Sequence, residues 1–314
     1  MENFIFSLNA TMPLILLAVL GWLMMRVGLF TPEFVRVADK FVFQVALPVM
    51  LFRDIATADI REIFNPQFVA YCMLATTAMF GATWALTALL MKDKSMVGAF
   101  VQASARGSAA VMGIAFVNNI YGNSGMAPLM LVSAVPLYNI YSVIILTVHA
   151  RGARRDGKAL RRALLNVLKN PIIIGVVAGI PFSALGVTVP AIPLKVLDNL
   201  AGVATPLALL AIGASFEGPR ALKKIRPTLL SSLIKLVLIP AALIPFAIGA
   251  GFRGPELVAL LVMLGAPTTV TCYVMAKQMG NDEVLTSSCV MMATLLSSVT
   301  LTLWIFLFRT LGLI

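Results

Sequence analysis

The residues Leu264-Gly-Ala-Pro-Thr-Thr-Val-Thr-Cys272 place Pro267 near the middle of the long apolar segment 255–279. A segment of this length can cross a bilayer, which takes roughly 20 mostly apolar residues. The proline removes a backbone hydrogen bond and clashes with the preceding helical turn. In lipid, such a break is tolerated only where the freed backbone groups are buried in protein or line a wet cavity. The stretch therefore predicts an interrupted transmembrane helix, although a simple kink with threonines bonded to their own helix gives the same pattern.

The composition of the whole chain agrees with a membrane protein. Of its 314 residues, 60% are hydrophobic and 12% charged, and the mean hydropathy is +0.96. A soluble globular protein is charged at about a quarter of its positions, so lipid is expected to cover much of this surface. In a soluble protein the net charge of +11 would suggest binding to nucleic acid. Here the basic residues lie at the ends of apolar segments, and we expect no nucleic-acid partner.

Ten apolar segments are predicted to cross the membrane, with proline and glycine marking the gaps between them. They run over residues 4–25, 36–56, 66–91, 96–120, 124–149, 170–189, 193–216, 227–250, 255–279 and 283–309. With the N-terminus outside, the inner loops hold seventeen lysine and arginine residues and the outer segments hold five. This bias predicts a multi-pass protein of the cell (inner) membrane with both termini outside and the basic loop 151–169 in the cytoplasm.

The second half of the sequence repeats features of the first half at an offset of 158 residues. Proline or glycine recurs in seven pairs: Pro13 and Pro171, Gly21 and Gly179, Gly28 and Gly186, Pro32 and Pro190, Pro48 and Pro206, Gly107 and Gly265, Gly122 and Gly280. The offset predicts two five-helix repeats, residues 1–150 and 170–314. Since each repeat has an odd number of spans, the second is inverted, which is typical of secondary transporters with a midplane site. The alternative is an old duplication in another kind of membrane protein.

Helices 4 and 9, the fourth and ninth predicted spans, are repeat partners, and helix 4 carries Arg106-Gly107-Ser108 opposite Leu264-Gly-Ala266. An arginine at midspan costs at least ~2.5–3.5 kcal/mol, so it is expected to face a cavity, a partner or a ligand. No acid lies beside the break in either helix. A planar guanidinium makes two parallel hydrogen bonds to a carboxylate, which predicts an organic anion as its ligand. The alternative pairs Arg106 with Asp39, Asp54 or Asp198.

Several other polar positions are expected to be structural. Lys235 lies about a third of the way into helix 8, where it would either assist with charge at the site or snorkel toward the interface, and snorkeling is expected. Asp39 and Asp198 are expected to open helices 2 and 7, where an acid suits the helix dipole. Gly122-Asn-Ser-Gly125 matches a short serine-protease pattern, but it reads as a turn and lies a whole helix from the lone His149. Metal-ligand and nucleotide motifs are absent from the sequence, so we expect no enzyme and no cofactor.

Three motifs resemble the auxin efflux carrier family. They are Ala46-Leu-Pro-Val-Met-Leu-Phe52 in helix 2, Pro136-Leu-Tyr-Asn139 in helix 5, and Gly265-Ala-Pro-Thr-Thr-Val270 in helix 9, which continues to Ala276-Lys-Gln-Met-Gly280. The similarity covers nearly the whole chain. The short, basic central loop of this chain is similar to that of the bacterial branch of the family, which includes malonate-type transporters. The resemblance implies an all-α membrane protein of two inverted five-helix repeats, with crossing broken helices 4 and 9, akin to bile-acid and sodium–proton transporter folds.

The resemblance also implies a function and a site. It implies a secondary active or facilitative carrier of small mono- or dicarboxylates such as malonate. The crossing helices would move against helices 1, 2, 6 and 7 in an elevator-type mechanism. The resemblance also implies a homodimer. Many members have a proline in helix 4 where this chain has Arg106-Gly107-Ser108, and this difference favours a strong anion. The candidate substrate-binding residues are Arg106, Gly107, Ser108, Tyr138, Asn139, Pro267, Thr268 and Thr269.

Two other functions remain open from the sequence. A sodium-coupled organic-anion symporter would need an ion site of carboxylates and carbonyls near the crossing helices. Acids in the predicted spans are few for such a site. A non-transporting membrane sensor or assembly protein would instead have a sealed, dry crossing.

Overall fold

The computed structural model describes residues 2–58, 64–150, 165 and 168–314, with side chains described outside 2–7, 10 and 110–115. The predicted cytoplasmic loop 151–169 therefore lies almost entirely outside the described residues. Within these ranges the regular secondary structure is helical.

The helices follow one another along the chain with short connections. They are α1 (Glu2–Arg26), α2 (Pro32–Phe41), α3 (Leu47–Ala56), α4 (Pro66–Leu90), α5 (Val97–Ala105), α6 (Ala109–Tyr121), α7 (Ala127–Val148), α8 (Pro171–Leu185), α9 (Ala191–Ala214), α10 (Gly218–Lys223), α11 (Ile225–Leu233), α12 (Ile239–Gly249), α13 (Gly254–Gly265), α14 (Thr271–Gln278) and α15 (Glu283–Thr310). The π-helical segment Val42–Ala46 joins α2 to α3, and a second one, Ile234–Leu238, joins α11 to α12.

The bounds of these helices agree with the ten predicted segments to within a few residues. Among the described residues, five helices are each long and apolar enough to cross a membrane: α4, α7, α9, the continuous helix Ile225–Gly249, and α15. Shorter apolar helices are Thr11–Arg26 within α1, α8 and α13. The described part of the chain is therefore all-helical, as expected of a multi-pass membrane protein. The number of ten spans stays a prediction, because segments 2, 4 and 9 are each divided into shorter helices, and the apolar helices of segments 1 and 6 are also short.

Helix starts follow from a polar residue placed directly before a proline. The side chains of Thr31, Asn65 and Asn170 accept a hydrogen bond from the backbone amide two or three residues later, at 3.2, 3.1 and 2.9 Å. Each is followed by proline as the first helical residue, where the missing N–H costs nothing and the fixed φ suits a helix. These three residues, which together with the following proline mark gaps between apolar segments in the sequence, are thus the N-caps of α2, α4 and α8.

Two pairs of glycines related by the 158-residue offset share a left-handed backbone. Gly28 and Gly186 have φ of 78° and 64°, and Gly122 and Gly280 have φ of 74° and 68°. This conformation favours glycine, because other L-residues are strained there. The pairs follow the ends of α1, α8, α6 and α14. The turn after Gly122 is closed by the Gly125 amide, which donates to the Asn123 side chain at 2.9 Å, so the protease-like pattern is a turn.

Close glycine contacts hold α1 against α9 and α3 against α8. A Cβ added at Gly21 or Gly213 would collide with the carbonyl of Leu210 or Ala18, and one at Gly175 with the carbonyl of Pro48. Small residues at such positions let helix backbones approach closely in membranes. These contacts join predicted helices 1 and 7, and 2 and 6.

Candidate functional site

Two helix breaks meet in the interior, and we call this region the crossover: residues 106–108 and 266–270 with the four helix ends around them. Gly107 and Thr268 form an antiparallel β-bridge, and the Ser108 amide donates to the Pro267 carbonyl at 2.8 Å. The backbone is extended at both breaks, with ψ of 115° at Arg106 and 150° at Ala266. Each break thus satisfies backbone groups of the other, as a non-helical segment at membrane depth requires.

The carbonyls at the ends of α5 and α13 receive side-chain donors. The Thr268 hydroxyl donates to Ala103 O at 2.8 Å, so this threonine bonds the other broken helix and not its own. The Tyr138 hydroxyl donates to Met263 O at 2.8 Å, and Lys235 Nζ donates to Leu264 O at 2.7 Å. A helix end leaves such carbonyls without intrahelical partners. The alternative of a simple kink with self-bonded threonines is therefore wrong for Thr268.

Arg106 lies at the end of α5 and is 4% exposed. Its Nη2 donates to Asn139 Oδ1 at 2.8 Å, and its Nη1 donates to the sulfur of Met275 at 2.9 Å. The Asn139 amide nitrogen donates to Val135 O at 2.9 Å, which turns its oxygen toward the guanidinium. In the part of the chain that the structure describes, no carboxylate lies within ion-pair distance of Arg106. A buried guanidinium is therefore held by neutral partners.

The acids considered as partners of Arg106 pair elsewhere. Asp39 contacts Lys277 at 2.7 Å, and Arg53 contacts Asp54 at 2.5 Å and Asp198 at 3.3 Å. The pairing of Arg106 with any of these three acids is therefore wrong.

The expected position of two of these acids is also wrong. Asp39 and Asp198 do not open helices, since α2 begins at Pro32 and α9 at Ala191. Asp39 is instead fully buried inside the first part of predicted helix 2.

A small cavity of about 40 Å³ lies beside the guanidinium. It is lined by Leu14, Met50, Leu51, Arg106, Gly107, Ser108, Val135, Tyr138, Thr205, Thr269, Val270 and Thr271. One wall comes from α1, α3 and α9, and the other from α7 and the crossover. Five predicted site residues thus line one cavity: Arg106, Gly107, Ser108, Tyr138 and Thr269. The other three, Asn139, Pro267 and Thr268, lie behind its wall and support it.

Sequence reasoning missed several residues of this region. Thr205 faces the cavity from α9, and a signal existed, because it precedes Pro206, the repeat counterpart of Pro48. Nothing in the sequence pointed to Met275 as a partner of Arg106, because a methionine in an apolar segment is usually a core residue. Lys235 was expected to snorkel, and that expectation is wrong: the side chain is 0% exposed and points into the crossover.

The crossover combines two basic side chains, Arg106 and Lys235, with oriented helix ends. The N-terminal ends of α6 and α14 begin at Ala109 and Thr271, beside the cavity, and carry partial positive charge. Helix N-termini and arginine both favour anions. The arrangement can bind a carboxylate and offers hydroxyls from Ser108 and Thr269 to orient it.

Known proteins are similar to this sequence over nearly its whole length. The profile of the family described as "Membrane transport protein" matches residues 6–305. An uncharacterized transporter of Methanothermobacter thermautotrophicus is 22% identical over 307 residues, or 96% of this chain and 98% of the relative. A Rhizobium meliloti protein, provisionally named a malonate transporter, is 24% identical over 309 residues, or 95% of each chain.

A mouse relative, the lysosomal cholesterol signaling protein of Mus musculus, is 25% identical over 237 residues, which is 70% of this chain and 27% of the relative. The two microbial relatives match from end to end, whereas the mouse protein contains the match as one part. Since the family profile extends over nearly the entire chain, the protein belongs to this family of membrane transport proteins, the auxin efflux carrier family that its motifs resemble.

Proposed function

We propose that this transporter carries small organic anions, with a dicarboxylate such as malonate as its substrate class, and binds the carboxylate at Arg106. The observation that carries the proposal is the buried Arg106 guanidinium, which faces a cavity and has no carboxylate partner among the described residues. Leaving a buried charge without a counter-ion is costly. An anionic substrate would supply the missing charge.

The charges around the crossover favour a dianion over a monoanion. The two helix C-termini, at Ala105 and Gly265, contribute roughly half a negative charge each, and the two N-termini contribute roughly half a positive charge each. These four partial charges cancel. Arg106 then leaves a net charge of about plus one, and protonated Lys235 makes it about plus two, which a dicarboxylate would neutralise.

One relative supports the substrate class. The Rhizobium meliloti protein provisionally named a malonate transporter matches 95% of this chain, at 24% identity. The basic crossover suits such a substrate on independent physical grounds.

The proposal includes an elevator-type transport cycle in a ten-span protein of two inverted five-helix repeats, residues 1–150 and 170–314, with both termini outside the inner membrane. Support for the repeat comes from the shared left-handed glycines and from the two breaks that meet. The cavity of about 40 Å³ is far smaller than the roughly 300–1,000 Å³ of ordinary ligand sites. Substrate binding therefore requires the wall of α1, α3 and α9 to separate from the crossover.

The first test is thermal unfolding of the purified protein with a panel of mono- and dicarboxylates. A ligand that binds only the folded state raises apparent stability, by about 2.7 kcal/mol at a hundred times its Kd. We expect a dicarboxylate to stabilise the parent. Arg106→Ala should weaken that ligand by at least about 30-fold, since truncating one partner of a buried charge pair costs about 2–5 kcal/mol.

The matched control is Arg53→Ala, which removes a partly buried arginine that already has carboxylate partners. Its ligand-induced shift should equal that of the parent, even if its own stability falls. A dicarboxylate that stabilises the parent and Arg106→Ala equally would contradict the arginine site. A panel in which only cations or neutral solutes stabilise the parent would contradict the anion carrier. Uptake of the stabilising acid into proteoliposomes then tests transport directly.

A further inference from the structure

Lys235 is a fully buried basic residue at the crossover that does not line the cavity beside Arg106. It lies in the π-helical segment Ile234–Leu238, and none of its surface is exposed. π-helical segments within α-helices occur often at functional sites, and this one interrupts the helix at the crossover.

The Lys235 ammonium is bound by backbone oxygens. Its Nζ donates to Leu264 O at 2.7 Å and to Met263 O at 3.4 Å, both in the last turn of α13. Its Cε and Nζ also lie 2.9 Å from the position that a Cβ would take on Gly107. The end of this side chain therefore fills the space between the α13 terminus and the other break.

The local partial charges favour a cation at this position. None of the ion pairs among the described residues includes Lys235. The partial negative charge of a helix C-terminus and its unpaired carbonyls favour a positive group. Broken-helix transporters use unwound carbonyls and helix C-termini of this kind to coordinate a coupling cation such as sodium.

We propose that the Lys235 ammonium is a tethered cation that occupies the carbonyl site where a coupling ion would otherwise bind. The crossover then assembles without sodium, and the carbonyl site accepts a small free cation only when the lysine side chain is shortened. The proposal rests on the proposed function only in treating the crossover as the transport site. It argues against the sodium-coupled symporter.

The test is thermal unfolding of the parent, Lys235→Ala and Lys235→Met at constant ionic strength in sodium, potassium or N-methylglucamine chloride, with and without n-propylammonium. Propylammonium replaces the three methylenes and the nitrogen that alanine lacks. We expect the Tm of the parent to be the same in all three salts, and both variants to have a lower Tm. Propylammonium should raise the Tm of Lys235→Ala in a saturable way and leave Lys235→Met, whose side chain fills the space, unchanged.

Lys195→Ala, which shortens an exposed lysine at the start of α9, is the control for unspecific effects of the amine. A parent that is more stable in sodium than in N-methylglucamine would overturn the proposal, and so would a Lys235→Met variant as stable as the parent. The proposal would also be overturned if propylammonium raised the Tm of all variants equally, or if it did not raise the Tm of Lys235→Ala. If Lys235→Ala does not fold, the parent and Lys235→Met still decide. None of these measurements uses an organic anion, so a failed carrier proposal leaves them interpretable.

Discussion

The Thr268 hydroxyl has a structural task at the crossover, because it donates to Ala103 O and is 2% exposed. Thr268→Val keeps the shape of the side chain and leaves that carbonyl unsatisfied, which costs about 1–3 kcal/mol. We therefore expect Thr268→Val to lower the free energy of unfolding by this amount, measured by chemical denaturation. Thr268→Ser keeps the hydroxyl and should retain most of the stability. Equal losses in both variants would show that the hydrogen bond does not matter.

The ion pair between Asp39 and Lys277 links α2 to α14. Lys277 Nζ also donates to the Tyr273 hydroxyl at 2.9 Å, and that hydroxyl contacts Ser215 at 3.1 Å. Lys277→Met would leave the fully buried Asp39 without its counter-ion, which costs about 3–5 kcal/mol. The double variant Asp39→Asn/Lys277→Met should recover part of this loss in the same unfolding assay. A double variant no more stable than Lys277→Met would contradict a direct coupling.

The sequence could predict a functional residue where its type is unusual for its segment. Arg106 stood out because arginine is rare at midspan, and the structure places it on a cavity. The structural roles of Thr268 and Lys235 could not be predicted. Thr268 donates to a carbonyl of α5, and Lys235 donates to a carbonyl of α13. Those contacts depend on which helices meet, and one sequence alone does not contain that information.

At the scale of helices, close contacts depend on glycines, which have no side chain to separate the two backbones. Gly213 and Gly202 both lie in α9, but a Cβ on Gly213 would collide with the Ala18 carbonyl, whereas one on Gly202 meets nothing within 4 Å. Alanine is a better helix former than glycine by about 1 kcal/mol. We expect Gly213→Ala to lower the Tm through strain between α1 and α9, and Gly202→Ala to leave it equal or higher. The comparison of the two variants in one unfolding assay isolates the contact.

Helix starts could be predicted best where a capping residue precedes a proline, as at Thr31, Asn65 and Asn170, because proline is favoured at the first helical position. The predicted start of segment 2 at residue 36 was still four residues after Pro32, where α2 begins. The interruption at Pro267 was also predictable from the local effect of a proline. The π-helical segments Val42–Ala46 and Ile234–Leu238 had no such signal. Both lie inside apolar runs, where the register of the backbone is decided by packing against neighbouring helices.

At the scale of the whole molecule, the inverted repeat predicts where equivalent loops lie. Leu29 and Val187 are related by the 158-residue offset, and both are exposed in turns after α1 and α8. An inverted arrangement puts Leu29 on the cytoplasmic side and Val187 outside, because five spans separate them. Native Cys72, Cys272 and Cys289 are buried, so a new surface cysteine can be labelled selectively.

We therefore expect a membrane-impermeant maleimide to label Val187→Cys in intact cells from the outside, and Leu29→Cys only after the inner membrane is made permeable. The excess of basic residues in the predicted inner loops gives this direction. The parent protein, with only its buried cysteines, gives the background. Labelling of both positions from the same side would mean an even number of spans between them and would remove the inverted repeat. Labelling from opposite sides in the reverse order would keep the repeat and place both termini inside, which would reverse the leaflets that the two ends of the crossover face.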